Sequence, residues 1–469
     1  MKKLLVIALA CVSALASAQN NGGITPEMLA EIQKGWQGTA ADKAIRNAVG
    51  TTAINTLAIN AENAAMIDTE FSDRVKTVGI TDQKQSGRCW LFTGLNVLRA
   101  AAIQKYDLGN FQFSQSYCFF WDQLEKSNLF LQAVIDTRAK SFDDREVDWL
   151  FSHTIGDGGT FTGVANLVTK YGLVPADEMP ESFVANNTTQ MRTHLKTLLR
   201  QDGLKLREAG AAADEAASKL KGKKAAAAAE QTAADLQQMK TQMLAEVYHV
   251  LALCLGVPPT EFEWKGRTVT PVQFYQELLG YDLNGGYVML MNDPSREYGK
   301  VYEIQYDRHL YDGQNWLYVN LPIERIKEMA IASIKDNTAM YFSCDVAKFL
   351  DRKKGVADLD NFDYESLLGV EFTMDKKQRV TSHDSGSSHA MTLVAVDIKD
   401  GKPVKWMVEN SWGKDSGYKG HIIMTDEWFN EYMFRLVVER KYAPADVLQM
   451  LEQEPVQLPA WDPMFLGEE

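Results

Sequence analysis

The sequence predicts an α+β protein: a helical first half, a second half dominated by antiparallel strands, and a helical arm inserted between them. Three stretches carry that reading. Residues 83–92, QKQSGRCWLF, pass abruptly from polar, glycine-containing chain into an apolar run from Trp90 to Leu98. From Arg192 to about Leu255 the composition turns to helix formers, with five consecutive alanines from Ala225. From Tyr287 onward, short runs rich in aromatic and β-branched residues alternate with turn residues.

Residues 1–20, MKKLLVIALACVSALASAQN, join two lysines, an apolar run and an Ala16-Ser17-Ala18 site. This is the pattern of a signal peptide cut after Ala18, so an exported protein, periplasmic or secreted, is expected. Cys11 makes a lipid-anchored form the lesser alternative, because Ala8 stands where a lipoprotein signal usually has leucine. Losing Lys2 and Lys3 takes the formal charge from −13 to −15, which argues against a nucleic-acid partner. No later stretch is long and apolar enough for a transmembrane anchor. Cleavage leaves Cys89, Cys118, Cys254 and Cys344, too few for a disulfide framework. No cysteine–histidine spacing suggests zinc, and neither a metal nor a cofactor is expected.

Thr25 to Ile80 reads as mostly helical, with a cap at Thr25-Pro26-Glu27 and Asn60 to Ile67 leading into the site. The apolar run places Cys89 in the first turn of a helix that buries Trp90, Leu91, Leu95 and Leu98. Unpaired N–H groups and the positive helix end stabilise a thiolate there. Ser114 or Ser116 caps an aromatic helix, FSQSYCFFWDQL. Gly156 to Thr160 is a turn before a helix, and Gly158 and Gly159 let a backbone approach closely enough to bond an extended substrate. The arm reads as a hairpin of helices broken at Gly222, leaving the core and explained by oligomer packing. YVMLMND, VYEIQYD, NWLYVNL and MYFSCDV are strands, and Pro322 to Lys335 is a helix. MTLVAVDI and residues 405–409 bracket a turn at Gly401-Lys402-Pro403, and an antiparallel pair there brings His389 close to Asn410. His153, His194, His249, His309 and His421 read as structural, and His383, nearer the site, has no partner in this pattern.

A thiolate nucleophile needs a base. His389, in SSHAM, would take the thiol proton and return it to the leaving amine. Asn410, in VENSWG, would accept the imidazole N–H and fix its tautomer. Gln83 and the N–H of Cys89 would hold an oxyanion. A buried core cysteine is the bland alternative, and the four residues together outweigh it.

Gln, Cys-Trp, His and Asn-Ser-Trp-Gly in this order resemble papain-like cysteine peptidases. GRCWLF, FSQSYCFFWD, YGLVP, VMLMNDP, SHAM, KWMVENSWG, MTDEWFNEY and LPAWDPM narrow the likeness to the bleomycin hydrolase and bacterial aminopeptidase C group. The resemblance implies a papain-like fold with catalytic Cys89, His389 and Asn410, and Gln83 at the oxyanion. It also implies substrate contacts at Gly158, Gly159, Trp412 and the terminal carboxylate of Glu469, peptide substrates cut from their N-termini, and a homohexamer. The expected organisation is a signal at 1–18, an N-terminal helical region at 19–74, the nucleophile-bearing half at 75–191, the arm at 192–255, the β-rich half at 256–452 and a tail at 453–469. The tail should run extended with Trp461 and Met464 pinned in pockets. Departures from the group are the signal and the FLGEE ending, while Ser86, standing where many secreted papain relatives have a disulfide cysteine, favours this group over them. A broad endopeptidase and a non-catalytic peptide-binding scaffold are the alternatives.

Overall fold

The computed structural model describes residues 22–36, 38–63 and 68–466. The expected signal, Cys11 and Glu469 lie outside those residues, as does the end of the Asn60 to Ile67 stretch. The chain forms two units, the smaller joining residues up to Ile59 to Phe362–Glu371. That unit holds α1 (Pro26–Lys34), α2 (Ala40–Val49), α3 (Ile54–Leu57) and a further helix at Tyr364–Leu368. Thr25 caps α1 by accepting the N–H of Met28, and Pro26 takes the first helical position, where its missing N–H costs nothing. The helical expectation up to Ile80 fails beyond this unit. The chain from Asp68 to Arg88 is irregular or extended, with a two-residue strand, β1 (Asp73–Arg74). Its backbone bonds go to a sheet instead: Val75 donates to the Val394 carbonyl at 2.8 Å.

The larger unit is built around α4 (Cys89–Tyr106). Every residue from Cys89 to Ala100 is buried, as a helix apolar on all faces requires. Beside it lies α5 (Gln115–Asp136), capped by Ser114, whose Oγ accepts the Tyr117 N–H at 3.0 Å. Then follow α6 (Arg145–Ser152) and α7 (Phe161–Tyr171). The interval read as an arm holds α8 (Thr189–Ser218) and α9 (Lys223–Leu255). These helices are not outside the core along their whole length. Both pack on α5, and Leu195, Leu199, Leu206, Leu236, Met243, Val247 and Leu251 are buried with it. From 211 to 231, around Gly222, no residue is buried, so the outer turns lie clear of the core. One narrow apolar stripe per helix is enough to seat it, however polar the remainder.

A hairpin of β2 (Phe262–Trp264) and β3 (Arg267–Val269) and helix α10 (Pro271–Leu278) lead to the sheet. Its strands are β4 (Tyr287–Met291), β5 (Lys300–Ile304), β6 (Leu317–Asn320), β7 (Met340–Cys344), β8 (Leu350–Asp351), β9 (Val356–Ala357), β10 (His389–Lys399), β11 (Lys402–Glu409), β12 (His421–Thr425), β13 (Met433–Glu439) and β14 (Val456–Leu458). They run in the order β14-β5-β6-β4-β13-β7-β10-β11-β12-β9-β8, with β1 on β10. Most pairs are antiparallel; β5–β14, β4–β6 and β9–β12 are parallel. Asp400 and Gly401, at φ 51° and 78°, make the two-residue turn between β10 and β11. Pro403 therefore lies in β11 opposite Ile398, not in the turn. The apolar core of the sheet runs through β7, β10, β11 and β13, and α4 packs against β10.

After β14 the tail does not stay extended. Residues 463–466 form one helical turn. Met464 is fully buried, and its carbonyl accepts from the buried Arg435 guanidinium. Asp462 pairs with Arg296, and half-buried Trp461 lies 4.4 Å beneath the Arg145 guanidinium. Among the described residues no helix is long and apolar enough to cross a membrane, and no group of His, Cys, Asp and Glu suits a metal.

Candidate active site

Cys89 opens α4 and is 7% exposed. Its N-cap, Arg88, makes no capping bond with its side chain. It does not face the thiol either, but forms a bidentate pair with Glu181 at 3.0 and 2.7 Å. The N-terminal end of α4 acts on Cys89 through its backbone dipoles, while the Arg88 charge is paired with Glu181.

His389 is the first residue of β10, opposite Cys344 of β7. The Ser343 and Ser387 hydroxyls are 2.7 Å apart beside it, and the Ser388 N–H bonds the Cys344 carbonyl, so the entry to the strand is tied down. Asn410 follows the last residue of β11, and β10 and β11 bring the two side chains together as the hairpin requires. His389 Nε2 lies 2.8 Å from Asn410 Oδ1. The same Oδ1 accepts the Ser411 N–H at 2.8 Å, which identifies it as the oxygen and makes Nε2 the protonated nitrogen. Nδ1 is left as the basic atom. The imidazole is 4.8 Å from the Trp412 ring at 30°, and Arg352 lies 5.1 Å over the other ring's centroid. Burial pushes the imidazole down to about 4, the Asn410 bond opposing this and the Arg352 charge reinforcing it.

Gln83 joins the two halves. Its N–H bonds the Ser411 carbonyl at 2.9 Å, and its Oε1 accepts from the Ser411 hydroxyl at 2.6 Å. Nε2 donates one hydrogen to the Ser86 carbonyl at 2.7 Å, leaving its second hydrogen for a ligand. Asp82 bridges Trp412, and Gly413 bonds Thr81 at 3.1 Å, continuing the same seam.

Sequence reasoning missed two supports. Ser411 holds Asn410 by its N–H and Gln83 by its hydroxyl; its place inside the NSWG string was the available signal. Arg99 of α4 pairs with Glu409, one residue before Asn410, at 2.8 Å with both side chains nearly unexposed. Nothing in two charges 310 residues apart points to that pair.

Gly158 and Gly159 are less open than expected. The Gly158 carbonyl accepts from Lys126 Nζ at 2.6 Å. A Cβ on Gly159 would lie 2.2 Å from the His309 ring and 2.9 Å from that of Trp90. The glycine is therefore required by internal packing whatever else it does. His309 itself is buried against Asp122 at 2.6 Å and meets Trp90 edge-on at 4.6 Å. A cavity of about 90 Å³ borders Gly158 and Gly159, walled by Phe130, Trp149 and Ile155 and by Phe465 of the tail. The other thiols are poor nucleophiles: burial pushes Cys118 up to about 12 and raises Cys254, which is partly buried, and Cys344 is fully buried.

Residues 23–465 match the peptidase C1-like family. The chain is 40% identical over 407 residues to bleomycin hydrolase of Homo sapiens, covering 82% of this chain and 85% of the relative. It is 36% identical to aminopeptidase G of Lactobacillus delbrueckii subsp. lactis over 94% of this chain and 98% of that one. The crystal structure of pepW from Lactobacillus rhamnosis HN001 superposes with a TM-score of 0.85 at 33% identity, covering 94% and 98% of the two chains. A cysteine at a helix start, a buried imidazole–amide pair and these likenesses converge: the chain belongs to the peptidase C1-like family, as a papain-like cysteine peptidase of the bleomycin hydrolase and aminopeptidase C group.

Proposed function

We propose that Cys89 is the nucleophile, His389 the general base and acid, Asn410 its orienting partner, and Gln83 with the Cys89 N–H the oxyanion donors. The observation that carries this is the Oδ1 of Asn410, shared between His389 Nε2 and the Ser411 N–H, which leaves Nδ1 as the base. Nδ1 takes the thiol proton, and the sulfur bonds to the scissile carbonyl carbon as the carbonyl electron pair moves onto oxygen. The second Nε2 hydrogen of Gln83 and the Cys89 N–H hold that oxygen. Collapse expels the amine, which takes the proton from His389. Water then gives its proton to Nδ1, attacks the thioester and releases the acid and the sulfur.

The substrates are peptides with a free N-terminus. Phe465 of the tail borders the cavity beside Gly158 and Gly159 and lies 5.5 Å from Trp149, so the tail narrows the side of the site that Gly158 and Gly159 border. The relatives named aminopeptidase support this reading. The enzyme works as an exported homohexamer, a reading that rests on residues 1–18 and on the resemblance. The test compares an unblocked aminoacyl amide with its N-acetylated form, in the full chain and in one ending at Met464. Strong preference for the free amine, relaxed by truncation with new internal cleavage, is expected. Equal turnover of both by the full chain would establish an endopeptidase instead.

A further inference from the structure

The loop carrying the oxyanion donors is gripped from two sides. Ser411 holds one side. The other is held by residues 181–192, the chain that enters α8. Gln85 donates to the Asn186 carbonyl at 3.0 Å and accepts from the Thr188 N–H at 3.4 Å. Arg88, fully buried, bonds Glu181 and the Ala185 carbonyl, and its Nε donates to Ser86 Oγ at 2.9 Å. Ser86 Oγ in turn donates to the Gln83 carbonyl at 2.7 Å. A chain of bonds therefore runs from Glu181 to the backbone of the Gln83 donor.

Asp157 lies at the centre of this grip. It is 1% exposed. Its Oδ2 accepts the Gly87 N–H at 3.2 Å and the Thr188 hydroxyl at 2.5 Å, and faces Arg192 Nη1 at 3.2 Å. Its carbonyl accepts from Trp90 Nε1 at 2.6 Å. The approach is tight: a Cβ on Gly87 would stand 2.9 Å from that of Asp157. The carboxylate thus holds the residue two before Cys89 and pairs with a cation on α8, while the main-chain carbonyl of the same residue holds the one after Cys89. A buried charge in this position is tolerated only because it is paired and hydrogen-bonded. Its other effect is to fix the peptides that aim the Cys89 N–H.

We propose that Asp157 is a positioning residue of the oxyanion site, and that through Arg192 the base of the helical arm is part of that positioning. The proposal rests on the oxyanion roles assigned to Gln83 and Cys89. It is separable from the chemistry of the thiol, because alkylation of Cys89 by iodoacetamide forms a sulfur–carbon bond and expels iodide without any oxyanion. Capture of a peptide aldehyde as a hemithioacetal does place an oxygen at the donors.

The test measures kcat, KM, the iodoacetamide rate and the inhibition constant of a peptide aldehyde for Asp157→Ala and Asp157→Asn. Losing the aim of an oxyanion donor predicts a fall in kcat of about 10- to 100-fold for Asp157→Ala, with KM within about threefold. The aldehyde should weaken by the same factor while alkylation stays within about twofold. Asp157→Asn, which keeps an acceptor for Gly87, should recover to within about fivefold of the parent. Unchanged kcat, a loss confined to KM, or alkylation falling in parallel with kcat would overturn the proposal. If Asp157→Ala does not fold, Asp157→Asn and Arg192→Met decide it: each should lose about threefold in kcat with alkylation intact, and parent-level turnover in both would overturn it. If instead alkylation left the parent enzyme active, the assignment of Cys89 itself would fall.

Discussion

Asn410→Ala removes one carbonyl that serves two donors. In the parent, Oδ1 accepts from His389 Nε2 and from the Ser411 N–H, each at 2.8 Å, and the residue is 2% exposed. After truncation both donors are buried without that acceptor, which costs stability by roughly 1–3 kcal/mol. The kinetic effect comes from the ring. Its proton is no longer held on Nε2, and a ring protonated on Nδ1 cannot accept the thiol proton. The Trp412 ring, 4.8 Å away, still restrains its orientation. A buried hydrogen bond worth about 1–1.5 kcal/mol corresponds to about tenfold in the population of the productive form. Looser ring orientation adds to this, so kcat should fall by about 10- to 100-fold while KM stays within about threefold. Steady-state turnover of an aminoacyl fluorogenic amide, alongside urea unfolding to separate stability from rate, measures both. A folded Asn410→Ala enzyme with kcat within threefold of the parent would refute the tautomer argument.

Gln83→Ala should cost about 100-fold in turnover, on the order of 3 kcal/mol for an oxyanion donor, and Ser411→Ala a smaller loss in the same direction, since it frees the Gln83 amide without removing it. Steady-state rates with the two variants check that order; Ser411→Ala falling below Gln83→Ala would contradict it. The imidazole at about 4 when folded lies below the ordinary value of about 6.5, so the unfolded chain binds the extra proton between those limits. The contribution of His389 to stability is therefore full above about pH 6.5 and is lost as pH falls to about 4, by up to about 3 kcal/mol. Urea unfolding of Cys89→Ser with and without His389→Gln should differ in slope over that window, and parallel curves would rule this out. Light scattering of the purified enzyme should report six copies; a mass near that of one chain, 52.6 kDa before any cleavage, would exclude the hexamer. Because α8 and α9 each bury an apolar stripe against α5, excision of the turns around Gly222, where no residue is buried, should leave the fold intact, and circular dichroism of that variant checks it.

What was legible followed local rules. The polar-to-apolar switch at Cys89 reads as a helix start because burial of Trp90, Leu91, Leu95 and Leu98 needs no distant information. The hairpin of β10 and β11 is written in two apolar runs and a glycine turn, and it alone brings His389 to Asn410. What was hidden depends on partners far along the chain. The polar composition of α8 and α9 masks the sparse stripe of Leu195, Leu199 and Leu206 that seats α8 on α5. β13 is central to the sheet, yet Arg435 interrupts its apolar run. That arginine is fully buried because its guanidinium holds the Met464 carbonyl of the tail. Arg99 with Glu409 is a buried pair, and Asp157 a buried carboxylate held by the partly exposed Arg192; both are invisible until the fold supplies each charge with its partner.

The most direct measurement is on Cys89 itself. Intact-mass analysis after stoichiometric iodoacetamide, followed by turnover of an aminoacyl amide, should show one carbamidomethyl group, located on Cys89, and complete loss of activity. Cys89→Ala should be inactive and take up label far more slowly, since burial raises the Cys118 and Cys254 thiols and Cys344 is fully buried. A folded Cys89→Ala enzyme that still hydrolyses the substrate, or a parent that stays active when Cys89 is fully alkylated, would contradict the assignment of this thiol as the nucleophile.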